Sequence, residues 1–172
     1  LAADISFCVD EGEMVCLTGE SGCGKTSLLS AMLGFVPLVG GNISLPPHQM
    51  RRITAYVPQE LNPPVEWVRD MVDLPFSLRA NAHIRRDHQR MLQLWDEVGL
   101  DAVLYERRVN ELSGGQRARI SLVTALLTGK QLLLADEPTA ALDTDTSRRV
   151  ANLIKEHVER THTSALVVSH DP

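Results

Sequence analysis

The chain has 172 residues, a length that suits one domain with a single sizeable core, and a second independent catalytic domain is not expected. Its net charge is −5, and only 4% of its residues are aromatic. Neither value suits a protein that binds DNA or anionic lipid through a broad basic surface, or that stacks single-stranded nucleic acid on aromatic side chains. We therefore expect no nucleic-acid partner, and any anionic ligand has to be held by local geometry.

The cysteine content and the lack of a long apolar run indicate the environment of the chain. Cys8, Cys16 and Cys23 are odd in number and lack the spacing of metal ligands, which favours reduced thiols in a cytosolic compartment. No apolar run approaches the roughly 20 residues of a membrane-spanning helix, and no signal peptide opens the sequence. If a membrane matters to this chain, we expect a partner protein to connect the two.

The sequence predicts two kinds of strand. Apolar and polar residues alternate over 5–9, a pattern typical of a half-exposed antiparallel strand. Residues 14–17 form a continuous apolar run that ends abruptly in polar residues, and the same pattern recurs at 132–135 and 165–168. Continuous apolarity favours strands that are buried on both faces of a parallel sheet, where ligands bind beyond the carboxyl ends of the strands.

Three helices are predicted from apolar residues at helical spacing, over 25–33, 84–98 and 114–128, and a glycine ends each of them. The segment 60–111 follows a proline-rich passage and lacks buried-strand runs. We therefore expect residues 1–172 to form a single α/β domain in which a helical subdomain is inserted into the catalytic core. The core would consist of residues 1–59 and 112–172, and the helical subdomain of residues 60–111.

A glycine-rich sequence, GESGCGKTS, lies between the first predicted buried strand and the first predicted helix. It fits the pattern G-x4-G-K-[ST] of a phosphate-binding loop, in which backbone N–H groups and the helix dipole form an anion cradle. Lys25 would contact the β- and γ-phosphates, and Thr26 is placed to bind Mg²⁺. A glycine-rich turn with an exposed lysine is the alternative, and the strand-loop-helix context argues against it. The residues expected to contact nucleotide are Gly19, Ser21, Gly22, Cys23, Gly24, Lys25, Thr26 and Ser27.

Two adjacent carboxylates, Asp136 and Glu137, follow the buried run 132–135. Carboxylates at a buried strand end cost desolvation free energy unless a cation or hydrogen bonds compensate, and Mg²⁺ is a natural compensation. Because side chains alternate along a strand, the two carboxylates should point in different directions. We expect Asp136 to hold Mg²⁺ and Glu137 to orient or deprotonate an attacking water. The alternative is that both are solvated loop residues after a strand. The presence of the phosphate loop argues against this alternative.

The sequence LSGGQ opens the third predicted helix. Ser113 and Gln116 have the spacing of a capping box, which any helix could use. Gly114 and Gly115 need a further reason, because each costs a helix roughly 1 kcal/mol relative to alanine. They indicate that something approaches this helix end closely, and a nucleotide phosphate would suit both the helix dipole and the Ser113 hydroxyl.

Three motifs, GESGCGKT, LSGGQ and LLLADEP, occur in this order and together resemble an ATP-binding cassette (ABC) ATPase. The likeness covers nearly the whole chain. DISFCVDEGEMVCLTGE is similar to the family's opening strands, and YVPQE contains its glutamine loop at Gln59. ALD contains its D-loop, which ends at Asp143, and VVSHD contains its switch histidine, His170. The fold class implied is α/β, a P-loop NTPase core with a mostly parallel buried sheet, an N-terminal antiparallel β flap and a helical insertion.

The resemblance implies a head-to-tail dimer in which each ATP lies between the phosphate loop of one subunit and residues 113–116 of the other. Gln59 would contribute to Mg²⁺ and water coordination, His170 would contact the γ-phosphate, and Asp143 would lie across the dimer seam. ATP and Mg²⁺ are the implied ligands. The residues expected to take part in catalysis are Lys25, Gln59, Glu137 and His170. Those expected to bind Mg²⁺ are Thr26, Gln59 and Asp136.

The function implied is that of the nucleotide-binding subunit of a bacterial-type ABC transporter, which hydrolyses MgATP to drive a separate membrane permease. Such a subunit would be cytoplasmic, peripheral on the inner face of the membrane, and paired with an identical or different second ABC subunit. No residue is assigned to stack the adenine.

Two alternatives remain open. A soluble ABC ATPase acting on DNA or ribosomes is disfavoured, because DNA-associated members insert long coiled coils where this chain has a short helical segment, and ribosome-acting members generally carry two cassettes. A nucleotide-binding module without hydrolysis is disfavoured because Glu137 and His170 are both present.

Overall fold

The computed structural model describes residues 5–170, which contain a four-stranded sheet with strand order β1-β4-β3-β2. Every pairing in this sheet is parallel, as expected. Strand β2 was not predicted, because its sequence, TAYV, alternates polar and apolar character and gives no continuous apolar run. The strands are β1 (Met14–Thr18), β2 (Thr54–Val57), β3 (Leu132–Asp136) and β4 (Ser164–Ser169).

The first strand differs from expectation in its burial. Strand β1 lies at an edge of the sheet and pairs only with β4 among residues 5–170, so its side chains are exposed or half-buried, and Met14 is 43% exposed. The antiparallel strand predicted over 5–9 is not formed, and these residues have no strand conformation. Their alternation finds no partner strand within the described part of the chain, and an unpaired strand is not stable in water.

Six α-helices accompany the sheet within residues 5–170. Helix α1 begins in the glycine-rich loop and α5 begins within LSGGQ, as predicted. The helix expected from residue 84 begins only at His88, because the Asp87 side chain accepts a hydrogen bond from the Arg90 amide and caps it there. The helices are α1 (Lys25–Met32), α2 (Pro47–Ile53), α3 (Val68–Ser77), α4 (His88–Glu97), α5 (Gly114–Leu127) and α6 (Thr144–Thr161).

Helices α3 and α4 and three short 3₁₀ turns make up most of the segment 60–111, which lies between β2 and α5. An isolated antiparallel bridge between Trp67 and Arg108 joins the beginning of this segment to its end. The segment is therefore closed on itself by backbone pairing. Among residues 5–170, no helix combines the length and the apolar character that crossing a bilayer requires.

The sheet separates two hydrophobic clusters, and the side chains of β3 alternate between them. Leu132 and Leu134 pack in the cluster that contains residues of α1 and α2. Leu133 and Ala135 pack in the larger cluster on the opposite face, with residues of α3 to α6. Because side chains alternate along a strand, Asp136 falls on the same face as α1, the helix that begins at the glycine-rich loop.

Candidate functional site

The candidate site lies along one edge of the sheet. All four strands run in the same direction, so their carboxyl ends meet at this edge. Gly19 directly follows β1, Gln59 follows β2, Asp136 ends β3, Glu137 comes next, and His170 follows β4. The topology thus gathers the phosphate loop, the two carboxylates, the glutamine and the histidine, which are far apart in sequence.

The glycine-rich loop has the backbone of an anion cradle. Gly22 and Gly24 have φ values of 80° and 105°, in the left-handed region that favours glycine, and Gly24 precedes the first residue of α1. No side chain caps this helix, so its first N–H groups remain available to an anion. Among the other predicted contacts, Ser21, Cys23 and Thr26 are exposed and Ser27 is half-buried.

Lys25 lies inside the loop, with only 7% of its surface exposed. Its ammonium donates hydrogen bonds to the carbonyl oxygens of Gly19, at 2.7 Å, and Glu20, at 3.0 Å. The Cys23 thiol lies 3.9 Å from the same ammonium. The positive charge is thus held at the loop by weak neutral acceptors, which an anionic phosphate could replace with a stronger charge-assisted interaction.

Asp136 is 1% exposed, and neither of its carboxylate oxygens has a hydrogen-bond partner within residues 5–170. Such an orphaned carboxylate is costly to bury unless a cation or donors reach it. Burial, and then the negative charge of Asp136, raise the pKa of Tyr56, which lies on the neighbouring strand opposite Leu134. The site therefore has an uncompensated negative charge on the face of the sheet that α1 covers, which fits a divalent cation.

Glu137 lies at the centre of a three-residue cluster. Its backbone has φ of 50°, and its N–H donates to the carbonyl oxygen of Val168 on β4 at 2.9 Å. One carboxylate oxygen accepts a hydrogen bond from Gln59 Nε2 at 3.0 Å, and the other is in contact with His170 Nε2. Only 9% of the Glu137 side chain is exposed. Three residues singled out in the sequence are therefore in direct contact, and Glu137, unlike Asp136, has hydrogen-bonding partners for its carboxylate.

The LSGGQ turn has the predicted capping box. The Ser113 hydroxyl accepts from the Gln116 amide at 3.1 Å, and the Gln116 side chain accepts from the Ser113 amide at 2.8 Å. No hydrogen bond or ion pair within residues 5–170 joins this turn to the phosphate loop. The two helix N-termini that were expected to meet phosphate, at α1 and α5, are thus separate within the described chain.

The two glycines of the LSGGQ turn differ in their surroundings. A Cβ atom at Gly115 would lie 2.8 Å from Leu142 Cδ2 and 3.0 Å from the Ala141 carbonyl oxygen. At Gly114 the nearest such neighbour is Ala141 Cβ, at 4.0 Å. The close approach expected at this helix end is thus made at Gly115 by the chain's own 141–142 segment. Sequence reasoning missed this contact, for which the sequence gives no local signal.

Asp143, expected at a dimer seam, caps helix α6 in the single chain. Its carboxylate accepts hydrogen bonds from the amides of Asp145 and Thr146, at 3.1 and 3.0 Å, and from the Thr146 hydroxyl at 2.7 Å. These bonds, led by those from Thr146, lower the pKa of Asp143. The residue is fully exposed, so a partner could still reach it while it caps the helix.

Comparison with known proteins gives a family match. A family model described as "ABC transporter" matches residues 2–140. The chain is 35% identical over 182 residues to the zinc transport system ATP-binding protein TroB of Treponema pallidum, covering 98% of this chain and 66% of that protein. It is 34% identical over 175 residues to the taurine import ATP-binding protein TauB of Shigella dysenteriae serotype 1, covering 98% and 67%. The chain thus spans about two thirds of the length of these relatives, 66% and 67%.

A solved structure shows the same fold. It is a dimeric ATP-binding cassette in a post-hydrolysis state, bound to ADP and Pi, and its TM-score against this chain is 0.78. The two sequences are 28% identical, and the match covers 96% of this chain and 78% of the other.

Proposed function

Because this chain belongs to the ABC transporter family, we propose that it binds and hydrolyses ATP as one half of a cassette dimer that powers a separate membrane permease. The observation that carries this proposal is the contact of Glu137 with both Gln59 and His170, beside the phosphate loop and the orphaned Asp136 carboxylate. A site that only binds nucleotide has no need for a nearly buried carboxylate held by two side chains.

Mg²⁺ fits the residues present. The unpartnered, buried oxygens of Asp136 would provide the charge, and the exposed Thr26 hydroxyl and the Gln59 amide would provide neutral oxygen ligands. These are the ligand types that Mg²⁺ takes together with substrate phosphates. When held by these residues, Mg²⁺ would supply positive charge that offsets the negative charge developing on the transferred phosphoryl group.

The residues of the chain would then position the reactants. The Lys25 ammonium would exchange its two carbonyl acceptors for the β- and γ-phosphates. Glu137 would orient the attacking water and accept its proton, because each of its oxygens has one side-chain partner and keeps a further acceptor site. His170 would turn to the γ-phosphate when released from Glu137. The resting contacts thus hold the base in place until nucleotide and water arrive.

A second subunit would complete the site. Residues 113–116 present an exposed hydroxyl and a helix N-terminus that no bond within residues 5–170 connects to the phosphate loop. In a head-to-tail dimer this turn would close over the ATP held by the other subunit, and the exposed Asp143 would lie at the seam. The second subunit would be another copy of this chain or a related cassette.

The proposed partner is a membrane permease, and the proposed location is the cytoplasmic face of the membrane. TroB is named for zinc and TauB for taurine, and the chain is equally similar to both, at 35% and 34% identity. Because the two relatives are named for unrelated substrates and are equally similar in sequence to this chain, the cassette sequence does not indicate which substrate is transported. We therefore propose that the permease, or a protein associated with it, selects what is transported.

The substitution Glu137→Gln tests this function in the full-length protein. The glutamine keeps the shape of the side chain but accepts no proton, so ATP binding should persist while turnover falls by about a thousandfold. ATP should then trap a stable dimer, which sedimentation would detect. Turnover at the wild-type rate would remove Glu137 from the role of general base.

A further inference from the structure

Arg119, on the second turn of α5, joins two elements that are separated in sequence. Its Nε–H donates to the carbonyl oxygen of Gly115, in the LSGGQ turn, at 3.1 Å. Its Nη1 donates to the carbonyl oxygens of Val98, at 2.7 Å, and Gly99, at 3.0 Å, at the end of α4. One planar guanidinium thus binds the LSGGQ turn and the C-terminus of α4 at the same time.

The α4 end of this link is built to receive a cation. The carbonyl groups of Val98 and Gly99 lie directly beyond the last residue of α4, next to the negative end of its helix dipole. Gly99 has φ of 67°, so the chain turns sharply there and leaves these carbonyls open to the Arg119 side chain. The guanidinium satisfies them with charge-assisted hydrogen bonds, which are stronger than neutral ones.

The LSGGQ turn is held by the 141–142 segment as well as by Arg119. Gly115 lies so close to Ala141 and Leu142 that it has no room for a Cβ atom. Burial lowers the pKa of the Arg119 guanidinium, and the negative charge of Asp143 opposes this effect. The turn is therefore held between the 141–143 segment and Arg119, so that a displacement of α4 is transmitted to it through the guanidinium.

We propose that Arg119 is a positioning residue that couples α4 to the LSGGQ turn and so sets where that turn lies when it closes over the ATP of the second subunit. The proposal rests on the proposed function, to which we add that the helical segment 60–111, which contains α4, faces the permease. Movement of that segment would reach the partner's nucleotide through Arg119. The residue itself does not touch substrate.

The conservative substitution Arg119→Lys tests the link, because one ammonium on a flexible stem does not reproduce the planar fork that binds both carbonyl sites. In the nucleotide-free, full-length protein we expect amide exchange to become about tenfold faster at residues 98–100 and 114–117 together, since charged hydrogen bonds are lost at both ends. The protein concentration needed for half-maximal turnover should rise about tenfold, because the turn is less well placed for dimerisation. ATP affinity of the monomer and the turnover rate at saturating protein should stay unchanged.

Arg148→Lys is the matched control, because the Arg148 side chain is 75% exposed and pairs only with Asp145, at 3.7 Å, within the described residues. It should change none of these quantities. Unchanged exchange in Arg119→Lys, or faster exchange in only one of the two segments, would overturn the proposal. A parallel loss of monomer ATP affinity would do the same, since it indicates general destabilisation. Failure of the wild-type protein to dimerise with ATP would count against the proposed function alone, because the exchange experiment needs neither dimer nor nucleotide.

Discussion

Two neighbouring residues of the site, Asp136 and Glu137, are in states that cost free energy unless the surrounding structure stabilises them. Glu137 has φ of 50°, which residues other than glycine rarely adopt and which costs of order 1 kcal/mol or more. This conformation turns the chain at the end of β3, so that the carboxylate meets Gln59 and His170 and the amide meets Val168. Asp136, directly before it, is buried without partners. Alternation along the strand predicts that the two carboxylates point in different directions, and it gives no sign of the positive φ of Glu137.

Cys23 provides a test of the phosphate loop at this scale. It is exposed, and its sulfur lies 3.9 Å from Lys25 Nζ and 3.0 Å from the position of a Cβ atom on Gly19. An alkyl group on this thiol would occupy the space that a phosphate needs. In a background with Cys8→Ser and Cys16→Ser, stoichiometric alkylation should abolish ATP binding and hydrolysis. Cys23→Ser in the same background should remain active and insensitive. Full activity of the alkylated protein would show that the loop leaves room there.

His157, on α6, provides a pH-dependent prediction. Burial, followed by the charges of Arg90 on α4 and Arg160 on α6, lowers its pKa. Because the folded state binds this proton less readily than the unfolded chain, the stability is fully present above about pH 6.5, where free histidine is neutral, and it falls as the pH decreases through the folded pKa. His157→Gln should flatten this part of the stability curve, as measured by urea unfolding between pH 7 and 5. An identical decline in the variant would assign the pH dependence to other groups.

The elements of the fold were predictable to the extent that their patterns are local. The parallel strands β3 and β4 and helices α1 and α5 follow from continuous apolar runs and helical spacing. Strand β2 was missed because its pairing with β3, not its own composition, makes it a strand. The strand expected over residues 5–9 was wrong for the converse reason, since alternation alone provides no partner. Pairing is a tertiary property, and a single sequence gives little information about it.

Substituting the two glycines at the beginning of α5 one at a time distinguishes the effect of packing on stability from that of helix propensity. Gly115→Ala should gain about 1 kcal/mol from propensity and lose about 1–3 kcal/mol from the clash with Leu142 and the Ala141 carbonyl. The unfolding free energy should therefore decrease, and ATP-dependent dimerisation should weaken because the 141–143 segment shifts. Gly114→Ala is the matched control, with only an ordinary contact at 4.0 Å, and it should be neutral or stabilising. Equal effects of the two substitutions would show that the close approach is relieved at no cost.

At the scale of the whole molecule, the family and the α/β fold class expected from the three motifs are confirmed by the family match and by the solved cassette. Under the proposed function, a single chain holds only half of each ATP site. The phosphate loop, Asp136 and Glu137 lie on one strand-end edge, whereas no hydrogen bond or ion pair joins the LSGGQ turn to the phosphate loop within residues 5–170. The motifs of the proposed site can be located from sequence. Their proposed assembly across two subunits would be a property of the pair, which a single-chain pattern does not describe.

Complementation between two inactive variants tests this central claim most directly. Lys25→Ala removes the charge of the phosphate loop, and Ser113→Glu places a negative charge on the LSGGQ turn. In a head-to-tail dimer, a mixed pair has one site with both defects and one site with neither. Mixing the two full-length variants should therefore restore ATP hydrolysis, to about a quarter of the wild-type rate if pairing is random and the sites act independently. If each subunit carried a complete site of its own, the mixture would stay inactive, and that result would contradict the account.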